Sequence, residues 1–229
     1  MDQLVELRNY VLAPGAAPAF VEHFERHFLA PQEELGMDIV GQFTVPGDDG
    51  RFVWIRRFSS PAERGAALSA FYTGPVWKEF GPRANELMAD HTDVHLLVPE
   101  APSFAADHVP HALRSGSAGA AGLAGSTVVA AVFEPGSGSL GPAIGATADV
   151  DAGTEGGAGV RELGRLVTAG VANDFPRLPV HEGAAVGVWL LAEEVGGRAA
   201  TALAETVADR RGLGVDILRL APTRHSTLR

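Results

Sequence analysis

The chain has 229 residues, 46% hydrophobic content and a net charge of −10, enough to bury one large core or two lobes of about 100 residues each. It contains no cysteine, which excludes disulfides, thiolate nucleophiles and Cys-ligated zinc or iron–sulfur centres, while its acidity argues against a nucleic-acid or anionic-membrane surface. No run of 18 apolar residues occurs and neither end shows a basic region followed by an apolar core, so a cytoplasmic protein is expected.

Residues Val5 to Leu12 alternate and stop at Pro14-Gly15, which reads as a strand. A helix is expected from Ala17 to Leu29, with Phe20, Phe24 and Phe28 forming an apolar stripe and Pro31 ending it. Gly41 to Val45 and Arg51 to Phe58 flank Pro46-Gly-Asp-Asp-Gly50, the turn chemistry of a hairpin with a longer loop. Ser60, Pro61 and Glu63 then supply an N-cap, a first-turn proline and a capping-box carboxylate. That helix breaks at Gly74-Pro75, and a second helical segment, Val76 to Met88, leads into a strand at Val94 to Val98. Strand, helix, strand, strand, helix, strand is the split βαβ or ferredoxin-like order.

The order recurs. Val45 to Trp54 and Val180 to Trp189 share their spacing, and each is followed by an Arg-Gly/Ala-Ala helix (Arg64 to Ala70, Arg198 to Ala204) and a strand ending in proline at Pro99 or Pro222. The second copy is expected to run through a strand at Thr127 to Phe133, a helix near Val160 to Ala169 and an extended stretch from Leu178 to Ala192. A helix near Arg198 to Asp209 and a strand at Val215 to Leu220 complete it. This gives a domain over residues 1–100, a linker over 101–126 rich in Ala, Gly, Ser and Pro, and a degenerate second domain over 127–229. The glycine-rich stretch from Gly136 to Gly159 reads as a loop.

Val5-Glu6-Leu7-Arg8-Asn9-Tyr10, Pro14-Gly15, the Phe-rich helix, Gly41-Gln-Phe43 and the strand Phe52 to Phe58 together resemble the NIPSNAP domain. The match continues through Glu63-Arg64, Pro75-Val-Trp77-Lys-Glu-Phe80 and Leu96-Leu97-Val98-Pro99. It is dense over residues 4 to 99; over 127 to 229 it rests on Trp189 and Leu218-Arg219-Leu220-Ala221-Pro222-Thr223. The resemblance implies an α+β fold of the dimeric α+β barrel superfamily, with two ferredoxin-like repeats facing each other as a pseudo-dimer within one chain. It implies no single reaction, because that superfamily includes cofactor-free monooxygenases, isomerases, polyketide cyclases and haem enzymes.

Side chains alternate across a strand, so Glu6, Arg8 and Tyr10 share one face and Val5, Leu7 and Val11 the other. Trp54, Arg56 and Phe58 share a face in the same way, and Gln42 and His95 are candidates to join it. If the apolar set takes the helices, this polar set lines the barrel and forms a small-molecule site, with Trp77 and Phe80 at its entrance. Arg8 and Arg56 would stabilise an anion or enolate, Glu6 or His95 would accept a proton and Tyr10 would donate. The alternative for Glu6 and the arginines is a structural ion pair. Aligning Pro14 with Pro135, the tryptophans, and Pro99 with Pro222 places Thr127, Val129, Ala131, Leu191 and Leu218 at the positions of Glu6, Arg8, Tyr10, Arg56 and His95, so the polar set belongs to the first copy alone.

No metal is expected. His23 and His27 have ligand spacing but lack an Glu-x-x-His pattern, and in the His91, Asp93, His95 series His91 precedes the strand. Gly136-Ser-Gly138-Ser-Leu-Gly141 matches a dinucleotide fingerprint in letters, but Pro142 follows where a helix must open. The expected function is a small-molecule-binding barrel acting without cofactors as an oxygenase, isomerase or cyclase of secondary or aromatic metabolism. A non-catalytic carrier or interaction module is the alternative. The expected partner is a small hydrophobic or aromatic, anionic molecule, with no nucleic acid or membrane, and self-association is open.

Overall fold

Apolar alternation and well-placed turn residues give the first half its elements: β1 (Leu4–Leu12), α1 (Ala17–His27), α2 (Leu29–Glu34), β2 (Asp38–Val45), β3 (Asp48–Phe58), α3 (Pro61–Thr73), α4 (Pro75–Leu87) and β4 (Met88–Pro99). The second half contributes β5 (Ser126–Glu134), β6 (Arg161–Thr168), β7 (Gly187–Glu194), α5 (Ala199–Arg211) and β8 (Gly214–Pro222). The computed structural model describes residues 3–100, 126–135, 159–183 and 185–228. The expected linker up to residue 125, and the glycine-rich stretch over 136–158 with its Gly136-Ser-Gly138 motif, lie outside the described residues.

The eight strands close into one barrel in the order β1-β3-β2-β8-β5-β7-β6-β4. Within it, β4-β1-β3-β2 and β8-β5-β7-β6 repeat one ferredoxin-like order, so the two halves of the chain form the expected pseudo-dimer. The seams are short: Phe43 and Thr44 pair with Pro222 and Ala221, and Leu97 to Pro99 pair with Thr168 to Leu166. Trp54 and Trp189 occupy the third strand of each half, opposite Arg8 and Ala131. That register makes Val129, Ala131 and Phe133 the counterparts of Glu6, Arg8 and Tyr10, two residues beyond the alignment drawn from the prolines.

Which face points inward reverses the sequence expectation. Val5, Leu7, Val53 and Ile55 join Val128, Ala130, Val188 and Leu190 from the other half in one cluster, which fills the barrel. An eight-stranded barrel has just enough interior for side chains, and apolar ones are the least costly to place there. The opposite face of the first half packs under α1 to α4 through Phe20, Phe24, Phe28, Leu68 and Phe71. In the second half, Val129, Ala131, Phe133, Trp189 and Leu191 pack under α5. Glu6, Arg8, Tyr10, Trp54 and Arg56 therefore lie between sheet and helices rather than in the barrel.

Several local expectations are corrected. The hairpin link is two residues, with Val45 opposite Asp48 and Gly47 at φ 85°; Pro46 presets its own φ and glycine supplies the positive one that a type II turn requires, so Asp48 to Gly50 join β3. Pro31 sits in the first turn of α2, where its missing N–H costs nothing. The helix expected near Val160 to Ala169 is instead β6. Leu163 and Leu166, three apart, match the helical period and would fall on opposite faces of a regular strand, but a register shift between Glu162 and Gly164 lets both reach the barrel core. Of the expected extended stretch, β7 begins only at Gly187; Ala169, Phe175 and Leu178 in the preceding segment pack on the first half's core instead.

Candidate functional site

Glu6 on β1 lies directly opposite Arg56 on β3, and the side chain of Arg8 reaches back two residues on the same face. The third guanidinium comes from α3. Ser60 accepts from the Glu63 N–H and Pro61 opens that helix, which sets Arg64 one turn before Leu68 on its buried face. Arg8 Nη1 donates to Glu6 Oε2 at 2.8 Å, Arg56 Nε to the same oxygen at 2.6 Å, and Arg64 Nε to Oε1 at 2.6 Å. All four side chains are 0% exposed.

The remaining donors recruit further residues. Arg8 Nε donates to the Tyr10 hydroxyl at 2.7 Å, Arg56 Nη1 to Gln32 Oε1 at 3.1 Å, and Arg64 Nη1 to Asn173 Oδ1 at 3.1 Å and to Asp174. Trp54 lies between two cations, with Arg56 5.0 Å and Arg8 5.6 Å from its ring. Burial opposes the charge on Glu6, but Arg56, Arg8 and Arg64 outweigh it and hold the carboxyl well below the usual range. Burial also raises the Tyr10 phenol, so it remains a neutral O–H.

A depressed folded-state pKa contributes stability that is complete above the unfolded value, near 4.5, and is lost as pH falls below it, because the unfolded chain takes up the proton first. The stability gap between the wild-type chain and Glu6→Gln is therefore expected to narrow as pH falls from 6 to 3. Urea unfolding at four pH values measures it; a constant gap would show that the variant loses something other than the charge.

One buried carboxylate does not balance three buried guanidiniums. Asp174, 40% exposed, adds a second. Arg8 Nη2, Arg56 Nη2, Arg64 Nη2 and Trp54 Nε1 are all buried without a hydrogen-bond partner among the described residues, as are both amide atoms of Gln42, opposite Trp54 in register. The second half provides a contrast: Trp189 Nε1 donates to Glu162 Oε2 at 3.0 Å. Beside the network lies a cavity of about 20 Å³ lined by Tyr10, Gln32, Trp54 and a ring of Phe20, Phe24, Phe28, Phe71, Tyr72 and Trp77. Tyr10 and Gln32 belong to both, and a volume of this size holds about one water. Trp77 walls the cavity against Phe28, Phe71 and Tyr72, while Phe58 packs against Arg56 at 5.4 Å.

His95 does not belong with Glu6. It pairs with Leu7 and so faces the other side of the sheet, where it meets Asp93 and His181. His91 leaves the expected His91, Asp93, His95 series because a register shift beyond Asn9 turns it toward Tyr10, 6.2 Å between rings. His23 Nε2 donates to the Phe80 carbonyl oxygen at 2.9 Å, and His27 stacks on the Phe80 ring at 3.8 Å. Both pack α1 against α4.

Sequence reasoning missed Arg64, Gln32, Asn173 and Asp174. Arg64 was findable, because Arg64, Ala67, Leu68 and Phe71 fall on one helical stripe. Asn173 and Asp174 arrive from the second half of the chain and extend the Arg64 contacts, whereas the residues lining the cavity come from the first half.

No curated protein matches the chain. The NIPSNAP family model matches residues 5–103. The N-terminal half is a NIPSNAP domain. An uncharacterized NIPSNAP domain protein from Burkholderia xenovorans is 24% identical, covering 43% of this chain and 95% of its own, with a TM-score of 0.39. Over the whole length, a "putative monooxygenase" from Lactobacillus acidophilus is 11% identical, covering 97% of this chain and 94% of its own, with a TM-score of 0.52. A "putative chlorite dismutase" is 12% identical, covering 100% and 98%, with a TM-score of 0.52. These two share the fold, as expected for a dimeric α+β barrel in which the NIPSNAP domain supplies one half. Among the described residues no helix is long and apolar enough to cross a membrane.

Proposed function

We propose that the space between sheet and helices of the NIPSNAP domain binds a small aromatic or enolisable molecule as its anion, and that the chain acts on it without a cofactor. The observation that carries this reading is the excess of buried positive charge: three guanidiniums against Glu6 and the partly exposed Asp174, with an unpaired Nη2 on each guanidinium and an unpaired indole N–H beside them. Uncompensated buried cations cost several kcal/mol, and an anion drawn into that field would offset the cost. Guanidiniums fixed in a dry site favour an enolate over its neutral keto form without reorganising. Aromatic walls from Phe28, Phe71, Tyr72 and Trp77 suit a flat ligand.

Proton acceptance is assigned differently from the sequence expectation. Glu6, held far below neutral by three cations, is too weak a base, and His95 is on the other face. The ligand would therefore enter already ionised, having left its proton in solvent, and Arg8 and Arg56 would hold the anion. Absence of a carboxylate or imidazole from the cavity lining favours the carrier as the second reading. Since the cavity is about 20 Å³, entry requires α3 and α4 to move outward.

Intrinsic tryptophan fluorescence, with Trp54 and Trp77 at the cavity, tests the binding step. Titration with benzoate and with the 1,3-diketone acetylacetone is expected to give saturable quenching, tighter at pH values where the probe is ionised. Equal response to benzyl alcohol would remove the electrostatic basis. Oxygen uptake or spectral change of the diketone then separates enzyme from carrier.

A further inference from the structure

We infer that Asp93, His95 and His181 form a binding site for one divalent first-row transition-metal ion at the junction between the two halves of the barrel. Asp93 Oδ1 lies 3.0 Å from His181 Nε2 and 3.5 Å from His95 Nε2, and one ligand atom from each residue falls within 4.8 Å of the others. Ligands each about 2.1 Å from a common ion, in tetrahedral or octahedral geometry, sit roughly 3.0–3.5 Å apart. The two carboxylate–imidazole separations already meet that. The imidazole rings, 4.7 Å apart and inclined at 26°, need a rotation of the half-exposed His181 ring to complete the set.

The surroundings hold the ligands in place. Asp93 and His95 project from β4 on one face, and the His181 N–H donates to the carbonyl of Val94, between them, at 2.8 Å. Asn9 Nδ2 on β1 donates to the second oxygen of Asp93 at 2.8 Å, the outer-shell contact that orients a ligating carboxylate. Hydrogen bonding by His95, then Asn9 and His181, keeps Asp93 ionised, with a pKa lowered to about 2 despite partial burial.

Two imidazoles and one carboxylate suit zinc, iron(II), cobalt(II) or nickel(II) better than calcium or magnesium, which take oxygen ligands. Side-chain exposures of 16% for His95, 42% for Asp93 and 46% for His181 leave room for water or an exogenous ligand to fill the remaining positions. The site is separate from the Glu6 network, which occupies the other face of the sheet. Sequence spacing gave no metal because the third ligand lies 88 positions from Asp93.

The test uses the full chain, stripped with chelator and titrated with Co²⁺ and Zn²⁺. One Co²⁺ per chain with visible d–d absorption, displaced by Zn²⁺, is expected, together with a metal-dependent rise in unfolding temperature. His181→Ala and Asp93→Asn should each abolish the absorption while the metal-free unfolding temperature stays within a few degrees of wild type. Asn9→Ala should fold and weaken Zn²⁺ binding by about 10-fold or more. No cobalt absorption in the wild-type protein would overturn the inference, and so would stoichiometric binding that survives both ligand substitutions.

Discussion

Glu6→Gln is expected to lower the stability of the chain by roughly 3–5 kcal/mol, because it leaves three guanidiniums buried without their shared carboxylate. Glu6 takes a charged hydrogen bond of 2.6–2.8 Å from each of Arg8, Arg56 and Arg64. An amide of the same shape offers one acceptor oxygen and turns an NH₂ toward a cation. Asp174 reaches only Arg64 and is partly solvated, so it cannot replace the lost charge. For a chain of this size the loss corresponds to a fall of about 6–20 °C in unfolding midpoint. Circular dichroism through thermal and urea unfolding measures it, and a change below about 1 kcal/mol would mean that the cluster does not hold sheet and helices together.

Arg8→Leu should cost the fold much less than Glu6→Gln. Glu6 keeps Arg56 and Arg64, the buried charge imbalance falls by one, and the register counterpart in the second half, Ala131, is already apolar. The remaining cost is the lost contact with the Tyr10 hydroxyl, about 1–2 kcal/mol. Binding of benzoate, however, should weaken at least 10-fold, because the substitution removes both a cation beside Trp54 and one of the unpaired Nη2 groups. Fluorescence titration beside urea unfolding separates the two effects. Unchanged benzoate affinity with a stability loss as large as that of Glu6→Gln would make Arg8 purely structural.

The fold was legible because the repeat survives in features that packing demands: the tryptophan on each third strand and the proline closing each fourth strand. The inward face was not legible. Alternation separates Glu6, Arg8 and Tyr10 from Val5 and Leu7 but does not say which set meets the helices and which meets the other half of the chain. That is decided by closure of the barrel, which presses the two apolar faces together. The candidate site was legible as far as single strands carry it, through Glu6, Arg8, Tyr10, Trp54 and Arg56. Arg64, Asn173 and Asp174 come from a helix and from a segment more than 100 positions away, and no local pattern announces such a meeting. His95 was misplaced because residues on neighbouring strands share a face only through register, which pairs it with Leu7.

The proposed anion site of the NIPSNAP domain lies between its sheet and helices, beside the Glu6 and arginine network. A crystal structure grown in the presence of benzoate tests it most directly. The expected result is a carboxylate within hydrogen-bond distance of an unpaired guanidinium nitrogen or of Trp54 Nε1, with the benzoate ring among Phe28, Phe71 and Trp77 and the helices α3 and α4 displaced outward. A structure in which ordered water alone meets those nitrogens, with benzoate absent from this space at saturating concentration, would contradict it.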